Sequence, residues 1–118
     1  MSRTSTFTPF DILELSKQLV VAAYSLTANL PADEKTNLTL YLRNAALKVH
    51  LDSVESTFQK KNKKLKKVVN KAKNSLVVIE AIVDVLIEVN LVKEEATTEL
   101  MQLSSTCYQL LDRLKKDK

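Results

Sequence analysis

No glycine occurs anywhere in this 118-residue chain, and its two prolines, Pro9 and Pro31, leave residues 32 to 118 free of either backbone breaker. Phosphate-cradling loops, dinucleotide-binding turns and nucleophile elbows need glycine where backbone approaches a ligand or takes a positive φ. Tight hairpin turns want Asn-Gly, Asp-Gly or Gly-X, so a β-meander is disfavoured as well. What remains is helix joined by short polar connectors. The apolar fraction of 45% supports one folded domain with a modest core. The expected boundaries are a disordered tail over residues 1 to 8 and a single domain over 9 to 116.

Four helices can be read from spacing. The first opens with Thr8 as cap, Pro9 at the first helical position and Asp11 three residues after the cap. Ile12, Leu15, Leu19, Ala22, Ala23 and Leu26 recur on one face. Asn29-Leu30-Pro31 ends it, because a residue before proline is pushed out of the helical region. Helix two is expected over 33 to 57, with Asp33 and Glu34 favouring its N-terminus through the helix dipole. It carries two stripes on opposite sides: Leu38, Leu42, Ala45, Ala46 and Val49, then Leu40, Leu47, Leu51, Val54 and Phe58. Helix three is expected over 62 to 90. Its first half is amphipathic, with Leu65, Val68, Val69, Ala72, Leu76 and Ile79 sharing a face.

From Val77 to Val92 helix three is apolar almost all round, relieved by Glu80, Asp84 and Glu88. Such a helix has to be covered on more than one side. Together with the second stripe of helix two, this predicts self-association through Leu40, Leu47, Leu51, Val78, Ile82 and Val85. The alternative is a crowded core of β-branched residues. Helix four is expected to start near Lys93-Glu94-Glu95, with Leu100, Leu103, Cys107, Leu110, Leu111 and Leu114 on its apolar stripe. The fold class that follows is all-α, an antiparallel up-and-down four-helix bundle.

Cys107 and His50 are each the single residue of their kind, so no disulfide framework and no Cys/His metal site can be written. Cys107 falls in an apolar stripe, where a thiol behaves as a small hydrophobe. Glu80, Asp84 and Glu88 share a helix line, but the Glu-x-x-His companion of a di-metal carboxylate site is missing. No catalytic residues, metal or cofactor are assigned, and the chain is expected not to be an enzyme. Leu76 to Val92 is short and charged for a membrane span. The opening Met-Ser-Arg-Thr-Ser-Thr lacks the apolar stretch of a signal peptide, so a cytoplasmic location with no membrane partner is expected.

The net charge of +4 conceals a local excess. Lys60, Lys61, Lys63, Lys64, Lys66, Lys67, Lys71 and Lys73 fall within fourteen residues, with no acid between Glu55 and Glu80. On a helical wheel Lys60, Lys63, Lys64, Lys67 and Lys71 lie within about 100° of each other, opposite Leu65, Val69 and Ala72. These cations stand at a helix N-terminus, where the dipole disfavours them by a few tenths of a kcal/mol each. The matching ligand is a polyanion, above all a nucleic-acid backbone, RNA or DNA. A solvated face that aids solubility, an anionic membrane surface and an acidic protein are the competing readings. Phe58 is the aromatic adjacent to the cluster, so base stacking is not expected and binding should be backbone-directed. Arg43 and Lys48 on helix two are candidate additions to this surface.

Phe10-x-x-Leu13 leading to Tyr24-x-Leu26-Thr27-x-x-Leu30-Pro31 resembles the first helix of a family of small bacterial four-helix-bundle proteins. The family includes proteins encoded in intervening sequences of 23S rRNA genes and the accessory variability determinants of diversity-generating retroelements. Leu42-Arg43-Asn44-Ala45-Ala46 resembles their Leu-Arg-Arg-Ala-Ala stretch, and Ala72-x-x-Ser75-Leu76 with Ile79-Glu80 their third helix. Leu91-Val92 resembles their turn into helix four. Where intervening-sequence members read Ser-Ile-x-x-Asn-Ile-x-Glu-Gly, this chain has Lys48-Val49-His50-Leu51-Asp52-Ser53-Val54-Glu55-Ser56. Retroelement accessory proteins lack that signature too and are similarly basic, which favours that branch, although their C-terminal Gly-Gly-Trp is absent. The resemblance implies a homo-oligomeric ring, commonly a pentamer. For the retroelement branch it further implies a reverse transcriptase partner and binding of RNA or DNA during cDNA synthesis.

Overall fold

The computed structural model describes residues 8 to 59 and 63 to 116. Within them run four helices: α1 (Pro9–Thr27), α2 (Leu38–Ser56), α3 (Lys63–Glu88) and α4 (Thr98–Lys116). Each helix packs against its chain neighbours and α4 closes back on α1, so the helices stand at the corners of a square, α2 and α3 most closely paired. The described residues contain no strand. The expected tail falls on residues 1 to 7, outside the described residues, except for Thr8. That residue is extended, and its N–H donates to Asp11 Oδ2 at 2.7 Å, satisfying one orphan group at the helix start.

The four predicted stripes meet in one core. Leu19, Ala23, Leu42, Ala46, Val49, Val69, Ala72, Ile79, Leu86, Cys107 and Leu111 are wholly removed from solvent. Cys107 contributes volume rather than chemistry there, since burial pushes its thiol up to about 12. Buried hydroxyls are satisfied by their own helices: Thr27 donates to the Ala23 carbonyl at 2.8 Å, and Ser53 to that of Val49 at 2.7 Å.

Two helix boundaries differ from the sequence expectation. Helix two starts at Leu38 rather than 33, because Ala32–Glu34 forms a separate 3-10 turn. The Glu34 carboxylate is used as a cap: Oε1 accepts from the Leu38 N–H at 3.3 Å and from Asn37 Nδ2 at 3.1 Å. Helix four starts at Thr98, after a 3-10 turn over Glu94–Thr97.

The glycine-free connector between α3 and α4 is closed by an asparagine. Asn90 sits at φ 62°, the left-handed region usually given to glycine. Its N–H reaches the Ile87 carbonyl at 3.0 Å and the Leu91 N–H reaches that of Leu86 at 2.9 Å, the paired bonds of a Schellman cap. Leu91 then packs against the core. Asn90→Ala is expected to cost about 1 kcal/mol and lower Tm by roughly 4 °C, because a Cβ with no local hydrogen-bonding side chain disfavours this conformation. Asn90→Gly should match or exceed the parent in the same thermal melt.

Candidate nucleic-acid interface

Lys63 opens α3, and Lys63, Lys64, Lys66, Lys67 and Lys71 are all exposed. The register with α4 is fixed by two contacts, Lys73 Nζ to Asp112 Oδ1 at 2.7 Å and Lys115 Nζ to Asn70 Oδ1 at 3.0 Å. In an antiparallel pair this sets the last described turn of α4 beside Val69 and Asn70. The first six residues of α3 therefore extend past the described end of α4, and the lysines crown one end of the bundle. Acids gather at the other end: Glu80, Asp84 and Glu88 late in α3, and Glu94, Glu95 and Glu99 leading into α4, are all exposed. The excess of positive charge thus lies at the end where α3 begins, offset only in part by the exposed Glu14 and Glu55 there, and it steers a polyanion to that end.

The predicted members do not share one surface. Lys64, Lys67 and Lys71 continue one line on the outer side of α3, with Lys63 beside it and Lys66 turned about 100° away from Lys67. Lys73 leaves the ridge. Its ammonium is bonded to Asp112, which raises its pKa, and lies 4.7 Å from the Tyr108 ring centroid in the α3–α4 seam. Lys60 and Lys61 lie outside the described residues. Arg43 is also committed elsewhere: Nε donates to Thr27 Oγ1 at 2.8 Å, and the guanidinium stacks 4.2 Å from the Tyr24 ring centroid, tying α2 to α1. Lys48, by contrast, joins Lys71 across a groove between α2 and α3.

Sequence reasoning missed two residues here. Tyr41 is 59% exposed and lines the same groove as Lys48 and Lys71. Asp52 is buried beneath them, its Oδ1 3.9 Å from Lys71 Nζ and its Oδ2 without a hydrogen-bond partner. The signal was present: Tyr41, Ala45, Lys48 and Asp52 follow one another at helical spacing on a third face of α2. The apolar residues predicted to drive self-association stay uncovered, with Leu40, Leu47, Leu51, Val78 and Val85 exposed and Ile82 half-buried.

Among the described residues no three His, Cys, Asp or Glu side chains group to hold a metal, and no helix is long and apolar enough to cross a membrane. A family model described as "23S rRNA-intervening sequence protein" matches residues 9 to 113. The chain belongs to that family. The match takes in all four helices, including the stretch from Lys48 to Ser56 whose departures favoured the retroelement branch. No curated protein matches the chain.

In this member of the intervening-sequence family, the departing stretch carries two perturbed groups. Burial, and then the Lys17 charge, hold the His50 imidazole below its ordinary range, with Nδ1 2.7 Å from Ser16 Oγ. Burial pushes the Asp52 carboxyl above its ordinary range, against the opposing pull of Lys71 and Lys48. Folded His50 binds fewer protons than unfolded His50, so stability falls as pH drops below about 6.5. Folded Asp52 binds more, so its contribution is full below about 3.9 and is lost as pH rises above that. In Tm measured against pH, His50→Gln should accordingly lessen the fall below about pH 6.5, and Asp52→Asn the fall that sets in as pH rises above about 3.9.

Proposed function

We propose that this member of the family is a non-enzymatic, cytoplasmic nucleic-acid-binding protein that self-associates and holds RNA or DNA by its phosphates. The observation that carries the reading is the exposed line Lys63, Lys64, Lys67 and Lys71 at the N-terminal end of α3. A helix N-terminus is the place where stability alone would put acids. Lysine contacts phosphate as a point charge with little geometric demand, so binding is backbone-directed. The uncovered Leu40, Leu47, Leu51 and Val85 supply the surface for self-association. A ring, with five copies as the resemblance implies, would repeat the ridge once per subunit and combine weak contacts by avidity.

Within that reading the finer role is accessory factor to a reverse transcriptase, supported by the missing Asn and Gly between Lys48 and Ser56 and by the basic charge. A reverse transcriptase gene with a template repeat beside this gene is the expected neighbourhood. An rRNA operon around it would assign the chain to the other branch. Mobility-shift titration at about 50 and 200 mM salt tests the common core of the proposal. Complexes should form at low salt and dissociate at high salt. No shift at either would leave a protein-only scaffold whose lysines serve solubility.

A further inference from the structure

We propose that the groove between α2 and α3 is a subsite for one unstacked nucleotide, which makes single-stranded nucleic acid the preferred ligand. The inference rests on the polyanion-binding reading and adds a base-binding element to it. Two small residues, Ala45 of α2 and Ser75 of α3, are buried and form the floor of the groove. Tyr41, Asn44 and Lys48 rise from α2, and Lys71, Asn74 and Val78 from α3, around a space of about 400 Å³. That volume falls within the range of small-molecule sites, which are mostly apolar with a few polar groups.

The chemistry of the walls matches the parts of a nucleotide. Tyr41 offers an exposed aromatic face, and Val78 an exposed apolar one. Lys48 and Lys71 stand at the rim, where a sugar-phosphate would run on towards Lys67 and Lys64 along the same side of α3. Asn44 and Asn74 are exposed amides within reach of base edges. Asp52 lies below the rim, buried and beside Lys71, so the two lysines outnumber the one carboxylate there. A base inside a duplex has both faces stacked and cannot enter such a groove, whereas every base of a single strand has a free π-face. RNA and DNA share this chemistry, so both are probed.

The test is anisotropy of labelled oligo(dT), oligo(U) and a duplex of matched length against the full chain, Tyr41→Ala, Tyr41→Phe and a Lys63→Glu, Lys64→Glu, Lys67→Glu triple variant. The parent should bind both single strands more tightly than duplex. Tyr41→Ala should lose about tenfold on single strands, the effect of one base stack, and nothing on duplex. Tyr41→Phe should keep the parent affinities, and the triple variant should lose all three ligands. Equal loss, or no loss, in Tyr41→Ala on single strands and duplex would overturn the subsite while the ridge stands. A change of mass by light scattering in Tyr41→Ala, without a change in strand preference, would show the groove covered by a second copy and also overturn it. Failure of the parent to bind any of the three would overturn the polyanion-binding reading itself.

Discussion

Glutamate in place of Lys63, Lys64 and Lys67 is expected to weaken nucleic-acid binding by more than about a hundredfold while leaving the bundle as stable as before, or more so. Three lysines near phosphates are worth roughly 1 kcal/mol each at high dielectric, and the introduced carboxylates repel where the ammoniums attracted. Stability moves the other way. All three positions are exposed, and Lys63 and Lys64 lie in the first turn of α3, where a carboxylate gains about 0.3–1 kcal/mol from the helix dipole. Removing lysine–lysine repulsion adds to this. A thermal melt and a binding titration on the same preparation should therefore diverge. A variant that loses binding and Tm together would show that these lysines hold the fold instead.

The second large effect is expected in the core. Leu86 is wholly buried, and its carbonyl accepts the capping bond from Leu91, while Val85 beside it is 45% exposed. Leu86→Ala should cost about 2–5 kcal/mol through lost burial and the cavity left behind. For a single domain of this size that is a large part of the whole stability. Val85→Ala should stay within about 0.5 kcal/mol, as surface changes do. Urea unfolding of the two variants reads the difference directly. Similar losses at both positions would mean that the outer face of α3 is already covered within one subunit, which would remove the argument for self-association.

The parts of this structure that sequence made legible are those fixed by local rules. Thr8, Pro9 and Asp11 marked the start of α1 because a cap involves residues three apart. The buried stripes were readable because a helix period is fixed, and Cys107 fell in one of them. Helix two began five residues later than expected because Asp33 and Glu34 suit either a helical first turn or a capping turn outside it. Only the position of Leu38 decides between them. Asn90 gave no warning, since an asparagine near a helix end is common and only its φ shows that it replaces glycine.

The candidate site was legible in composition but not in arrangement. Eight lysines in one segment announce a basic surface, yet the α3–α4 register decides that Lys73 reaches Asp112. The α2–α3 register likewise brings Lys48 and Tyr41 to Lys71, while Arg43 turns towards Thr27 and Tyr24 on the opposite seam. These pairings depend on how far each helix slides along its neighbour. No spacing within a single helix encodes that distance.

The salt dependence of affinity for duplex reads the lysine–phosphate contacts most directly. About five lysines per subunit engaging phosphates predict that log K falls linearly with log[salt] at a slope near −4 to −5. An affinity that does not change with salt would contradict it.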